Sequence, residues 1–124
     1  MPSLDGCLVL VVEEAIIAIN IADTLEAAGA KVHVSSTLND ALQKAEMTGL
    51  TAAIIVDHAL QDGITTSNVC SKLKERNVPF VVYSGYTKID RECTAGELVQ
   101  TPVSAELVVI TLSGLLAKRQ RTLN

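Results

Sequence analysis

The chain has 124 residues, of which 48% are apolar and 2% aromatic, and its formal net charge is −4. That length predicts one domain, 1–124, with an aliphatic core and no separate output domain. The acidic balance argues against a nucleic-acid footprint, no apolar run approaches the roughly 20 residues of a membrane span, and the start MPSLDG lacks the basic-then-apolar order of a signal peptide, so a cytoplasmic location is expected.

The first element is a short apolar strand, Cys7–Val12, ending in Glu13-Glu14. A helix over 15–28 follows, with Ile17, Ile21 and Leu25 on one face and Gly29 as its stop. Lys31–Ser35 is a second strand, in which Val32 and Val34 alternate. Thr37 reads as an N-cap with Asp40 at the third helical position, and Leu38, Ala41, Leu42 and Ala45 form that helix's apolar face up to Gly49. Ala52–Val56 is a third strand, ending at Asp57, and 58–63 is a loop. A helix over Thr65–Arg76 carries Val69 and Leu73 inward, and Pro79 opens a fourth strand, Phe80–Tyr83. Ser84-Gly85-Tyr86 is a turn, Thr87–Ala95 a short helix, and Glu97–Gln100 a fifth strand. Ser104 caps a last helix whose Leu107, Val108, Leu112, Leu115 and Leu116 face the core.

Five β-α units in unbroken alternation predict a parallel sheet with helices on both faces. With right-handed crossovers the expected architecture is a doubly wound α/β sheet of order 2-1-3-4-5 with about five helices. Ligands bind such sheets beyond the carboxyl ends of the strands, at the switch point between strands one and three. Those strands end in Glu13-Glu14 and Asp57. Cys7, Cys70 and Cys93 are odd in number and show no CxxC spacing, so they read as reduced thiols. The basic run Lys118-Arg119-Gln120-Arg121 reads as a helix end that complements the dipole.

The crevice does not suit a bare phosphate. A nucleotide or flavin site needs a Gly-rich first loop with free N–H groups, whereas here two carboxylates stand in that place. The chain also lacks a P-loop, a G-x-S-x-G elbow and zinc-ligand spacing. Mg²⁺, in contrast, takes oxygen ligands and is commonly held by one or two carboxylates plus phosphate oxygens. Glu13, Glu14 and Asp57 match that chemistry, with Asp57 available as a nucleophile and Ser84 as a hydroxyl donor to a phosphoryl oxygen.

These motifs, VVEE at 11–14, VDHALQDG at 56–63, PFVVYSGY at 79–86 and TP at 101–102, run in order through nearly the whole chain. Together they resemble a receiver domain of bacterial two-component response regulators, with the flavodoxin-like, CheY-like fold. The sequence SGY after PFVV resembles stand-alone receivers of alphaproteobacteria. The resemblance implies that Asp57 is the phosphoacceptor, that Glu13, Glu14, Asp57 and the backbone carbonyl of Ala59 hold Mg²⁺, and that Ser84 is the switch hydroxyl. It implies a sensor histidine kinase or histidine phosphotransfer protein as donor, a downstream protein partner, and possible homodimer formation through the last two β-α units. It also implies no enzyme activity beyond self-phosphorylation and self-dephosphorylation.

Two positions depart from the family. Thr101 stands where its Lys precedes Pro102, and Leu98 stands where its switch aromatic falls. The lost charge-assisted contact is on the order of 1.5–3 kcal/mol. Two function classes follow: a phospho-accepting signalling receiver, and a pseudo-receiver that binds a partner regardless of phosphate.

Overall fold

The computed structural model of the chain describes residues 4–13, 15–56, 67–84, 93, 96–100 and 104–123. In chain order the elements are β1 (Leu8–Val12), α1 (Ala15–Ala27), β2 (Lys31–Ser35), α2 (Leu38–Lys44), β3 (Ala52–Val56), α3 (Ser67–Glu75), β4 (Phe80–Ser84), β5 (Glu97–Gln100) and α4 (Ala105–Leu123). The strands form one sheet of order β2-β1-β3-β4-β5. Every neighbouring pair is parallel. This is the expected doubly wound architecture. Of the expected helices, four lie among the described residues, and the one placed at 87–95 lies outside them except for Cys93.

The sheet divides the core because successive side chains of a strand point to opposite faces. Val9, Val11, Ile54, Val81 and Val99 pack with Ala18, Ile21 and Leu25 of α1 and with Val108, Val109 and Leu112 of α4. Leu10, Val12, Ala53, Ile55, Phe80 and Val82 pack on the other face with Ala41 of α2 and with Val69 and Leu73 of α3. Strands buried on both faces in this way read as continuous apolar runs rather than as alternation.

The helix ends follow local rules. Thr37 accepts the Asp40 N–H at 3.2 Å and caps α2, and Ser104 accepts the Leu107 N–H at 3.1 Å at the start of α4. Helix α1 closes with Gly29 at φ +103°, its N–H donating to Glu26 and that of Ala30 to Leu25. Helix α3 closes the same way on Asn77 at φ 58°, with the Asn77 and Val78 N–H groups donating to Lys74 and Leu73. Both are Schellman-type ends. Helix α2 ends at Lys44, earlier than Gly49, because tight hydrogen bonds from Glu46 to Gln43 and from Met47 to Lys44 turn the chain away first.

Two expectations are corrected. Leu107 is 46% exposed, whereas Val109 is 1% exposed. The inward face of α4 runs through Ala105, Val108, Val109 and Leu112, a spacing of three and four that leaves position 107 about 150° off the core direction. The cysteines are not all reduced: Cys70 of α3 and Cys93 are joined by a disulfide, with 5.0 Å between their Cα atoms, and Cys7 is free. The fold brings the two together by seating α3 and Cys93 on the same face, against Phe80 and Val82.

Candidate functional site

Because all five strands are parallel, their carboxyl ends share one edge of the sheet. Glu13 extends β1 by one step. Its N–H donates to the Ser35 carbonyl at 3.0 Å, just past the Val12–Ser35 pair. On the other side Val12 pairs with Ile55, so β3 runs on through Val56 toward Asp57. Val56 pairs with Tyr83, and Ser84, the last residue of β4, pairs with Gln100, the residue before Thr101. With strands about 4.8 Å apart, the backbones of Glu13 and Ser84 stand roughly 10 Å apart across β3.

The structure thus sets Glu13 and the backbone of Ser84 on the predicted edge. Glu14, Asp57, Ala59 and Thr101 lie outside the described residues.

Burial sharpens the picture. Among the described residues the buried polar or charged side chains are Glu13, 1% exposed, and Ser35, 0% exposed. Both sit at this edge, at the ends of neighbouring strands, while the remaining buried side chains are apolar. Burying a carboxylate costs free energy unless hydrogen bonds or opposite charge compensate it. Glu13 has interactions of its own, and its burial places an oxygen donor at the strand edge expected from the sequence.

A hard divalent cation fits the donor chemistry of the edge. The predicted donors are all oxygen: the Glu13, Glu14 and Asp57 carboxylates and the Ala59 carbonyl. Among the described residues no three His, Cys, Asp or Glu side chains form a metal-binding group, since of these four donors only Glu13 is described.

A polar group beside the site was not anticipated from sequence. The Ser35 hydroxyl donates to Asp40 Oδ2 at 2.7 Å. Lys44 Nζ lies 3.0 Å from the same oxygen and donates to the Val34 carbonyl at 3.3 Å. The Ser35 hydrogen bond, followed by Lys44, holds the Asp40 carboxyl below the usual carboxylate range. The set braces the end of β2, the strand that receives the Glu13 N–H. Its sequence signal was the i,i+4 spacing of Asp40 and Lys44.

No protein-family model matches the sequence. No curated protein matches it in sequence. Among the described residues no helix is long and apolar enough to cross a membrane. Solved structures do match. The chain is similar to SdrG from Sphingomonas melonis Fr1, with TM-score 0.71, 29% identity, and 92% of this chain aligned to 98% of that one. It is similar to a response regulator receiver protein from Sinorhizobium medicae, with TM-score 0.75, 18% identity, and coverage of 94% and 98%. The receiver domain of Francisella response regulator 1452 superposes with TM-score 0.75 at 15% identity, over 93% of this chain and 99% of that one. Strand order, the two-faced core and these matches agree: the chain has the fold of a response regulator receiver domain.

Proposed function

We propose that this protein is a cytoplasmic phosphorelay receiver that accepts a phosphoryl group on Asp57 from a histidine kinase or a histidine phosphotransfer protein. The observation that carries the reading is the buried carboxylate of Glu13 at the carboxyl edge of a receiver-fold sheet, one strand from the end that runs into Asp57. A carboxylate oxygen of Asp57 attacks phosphorus, the bond from phosphorus to the donor's imidazole nitrogen breaks, and the imidazole leaves carrying a proton. Glu13, Glu14, Asp57 and the Ala59 carbonyl would hold Mg²⁺, and the ion offsets the repulsion between these carboxylates and the incoming phosphate. Ser84 donates a hydrogen bond to a phosphoryl oxygen, and that contact biases the surface formed by the last β-α units toward a downstream protein partner. The protein is no enzyme on this reading beyond its own phosphorylation and dephosphorylation.

A second reading is favoured by Thr101, which carries no charge where the family carries Lys. On this reading the domain is a pseudo-receiver and binds its partner whether or not it is phosphorylated. Intact-mass spectrometry after incubation with acetyl phosphate and Mg²⁺ separates the two, with Asp57→Asn as control. One phosphoryl group gained by the wild type alone supports the receiver. No gain, with no measurable Mg²⁺ binding, supports the pseudo-receiver.

A further inference from the structure

We propose that Cys70 and Cys93 form a reversible dithiol–disulfide site, whose oxidised form fastens the approach to β5 onto α3. Both residues are 0% exposed and lie in the core cluster that holds Phe80, Val82, Val69 and Leu73. Their Cα atoms are 5.0 Å apart, within the range a disulfide spans without backbone movement. The sequence separation is 23, and the loop so closed contains the whole of β4 with Ser84.

The bridge is coupled to the sheet at its far end. The Cys93 carbonyl accepts the Gly96 N–H at 3.1 Å, and Gly96 lies directly against Phe80 of β4. Opening the bridge therefore releases Cys93 from α3, and the Cys93 carbonyl is joined through Gly96 to Phe80 of β4. The third cysteine is kept apart. Cys7 packs with the cluster on the opposite face of the sheet. Burial, and then the charge of Asp5, push its thiol up, which leaves little thiolate to compete for the pair.

The oxidant is a low-molecular-weight disulfide. The thiolate of one cysteine attacks one sulfur of that disulfide, expels a small thiolate and forms a mixed disulfide. The second cysteine then loses its proton and attacks the protein-bound sulfur, which expels the second small thiolate. The two cysteines lose two electrons, the small disulfide gains them, and the two protons leave with the two small thiols. Because both cysteines are buried, exchange passes through local opening, and the closed bridge is shielded from the pool. The site is independent of whether Asp57 accepts a phosphoryl group.

The test equilibrates the folded wild-type protein in graded ratios of oxidised to reduced glutathione, blocks free thiols with an alkylating agent and counts them by intact mass. The expected result is a reversible passage from three alkylated thiols to one in the monomer, with peptide mapping that pairs Cys70 with Cys93. Reduction is expected to lower Tm by roughly 10 °C, the effect of opening a loop of this length. Cys7→Ala leaves the transition in place, and Cys93→Ala abolishes it. If Cys93→Ala does not fold, the wild-type titration and mapping decide alone. Three alkylated thiols at every ratio, one alkylated thiol even in excess reductant, a bridge that maps to Cys7 or joins two chains, or an unchanged Tm would each overturn the proposal.

Discussion

The Ser35 hydroxyl donates to Asp40 Oδ2 at 2.7 Å, while the carbonyl of the same Ser35 receives the Glu13 N–H at 3.0 Å. A half-exposed carboxylate thereby braces the strand end beside a buried acid. The Asp40 carboxyl is held low in the folded protein, by Ser35 first and Lys44 second. A depressed carboxyl adds stability that is complete above its unfolded value and is lost as pH falls through the folded one. The contribution should therefore be full above about pH 5 and decline below about pH 4. Solvent screening keeps it to about 0.5–1 kcal/mol. Urea denaturation of wild type and Asp40→Asn between pH 3 and 7 measures it, and the two curves should converge at the acid end.

Gly96 is constrained by packing. A Cβ there would lie 2.5 Å from two carbons of the Phe80 ring and 2.8 Å from the Phe80 carbonyl oxygen. Neither a core ring nor a strand backbone yields cheaply, so Gly96→Ala should cost about 2–3 kcal/mol. A smaller residue at position 80 should relieve part of that strain. The cost of Gly96→Ala in a Phe80→Leu background should then fall by at least about 1 kcal/mol, a coupling that a double-mutant cycle reads directly.

Asn77 ends α3 with a left-handed backbone, φ 58°. Its N–H and that of Val78 satisfy two carbonyls of the last turn. Replacing it with Ala keeps the hydrogen bonds but places a Cβ-bearing residue without a local polar group in that region, at a cost of about 1–2 kcal/mol. Asn77→Gly should change stability by less than about 0.5 kcal/mol, because glycine populates that region freely. Thermal denaturation of the two variants should rank them clearly, and equal losses would rule out backbone strain as the cause.

Thr101 follows Gln100, the β5 residue paired with Ser84. If the domain is a receiver short of one charge-assisted contact, Thr101→Lys should speed phosphorylation by acetyl phosphate about ten- to a hundredfold. Time-resolved intact mass gives the rate. A rate no faster than wild type would count against any phosphoryl contact at this position.

Much of the fold is legible along the chain, because the interactions that set it are local. The apolar runs of β1 and β3, the Thr37 and Ser104 caps and the Gly29 stop each depend on residues within about four positions, and the alternation of strand and helix leaves few topologies. The place of Glu13 at the carboxyl edge of the sheet follows from the same reasoning.

Other features were decided only by tertiary packing. Which turn of α4 faces inward, Val109 rather than Leu107, depends on the exact rotation of a helix rich in apolar residues on several sides. The hydrogen bond from Ser35 to Asp40 depends on how β2 hands over to α2. The Cys70–Cys93 pair and the Gly96–Phe80 contact join residues 23 and 16 positions apart, on elements that meet only once the sheet has assembled. A sequence states the strength of local preferences directly, but close approach between distant residues arises from the summed packing of the whole core, which no single stretch encodes.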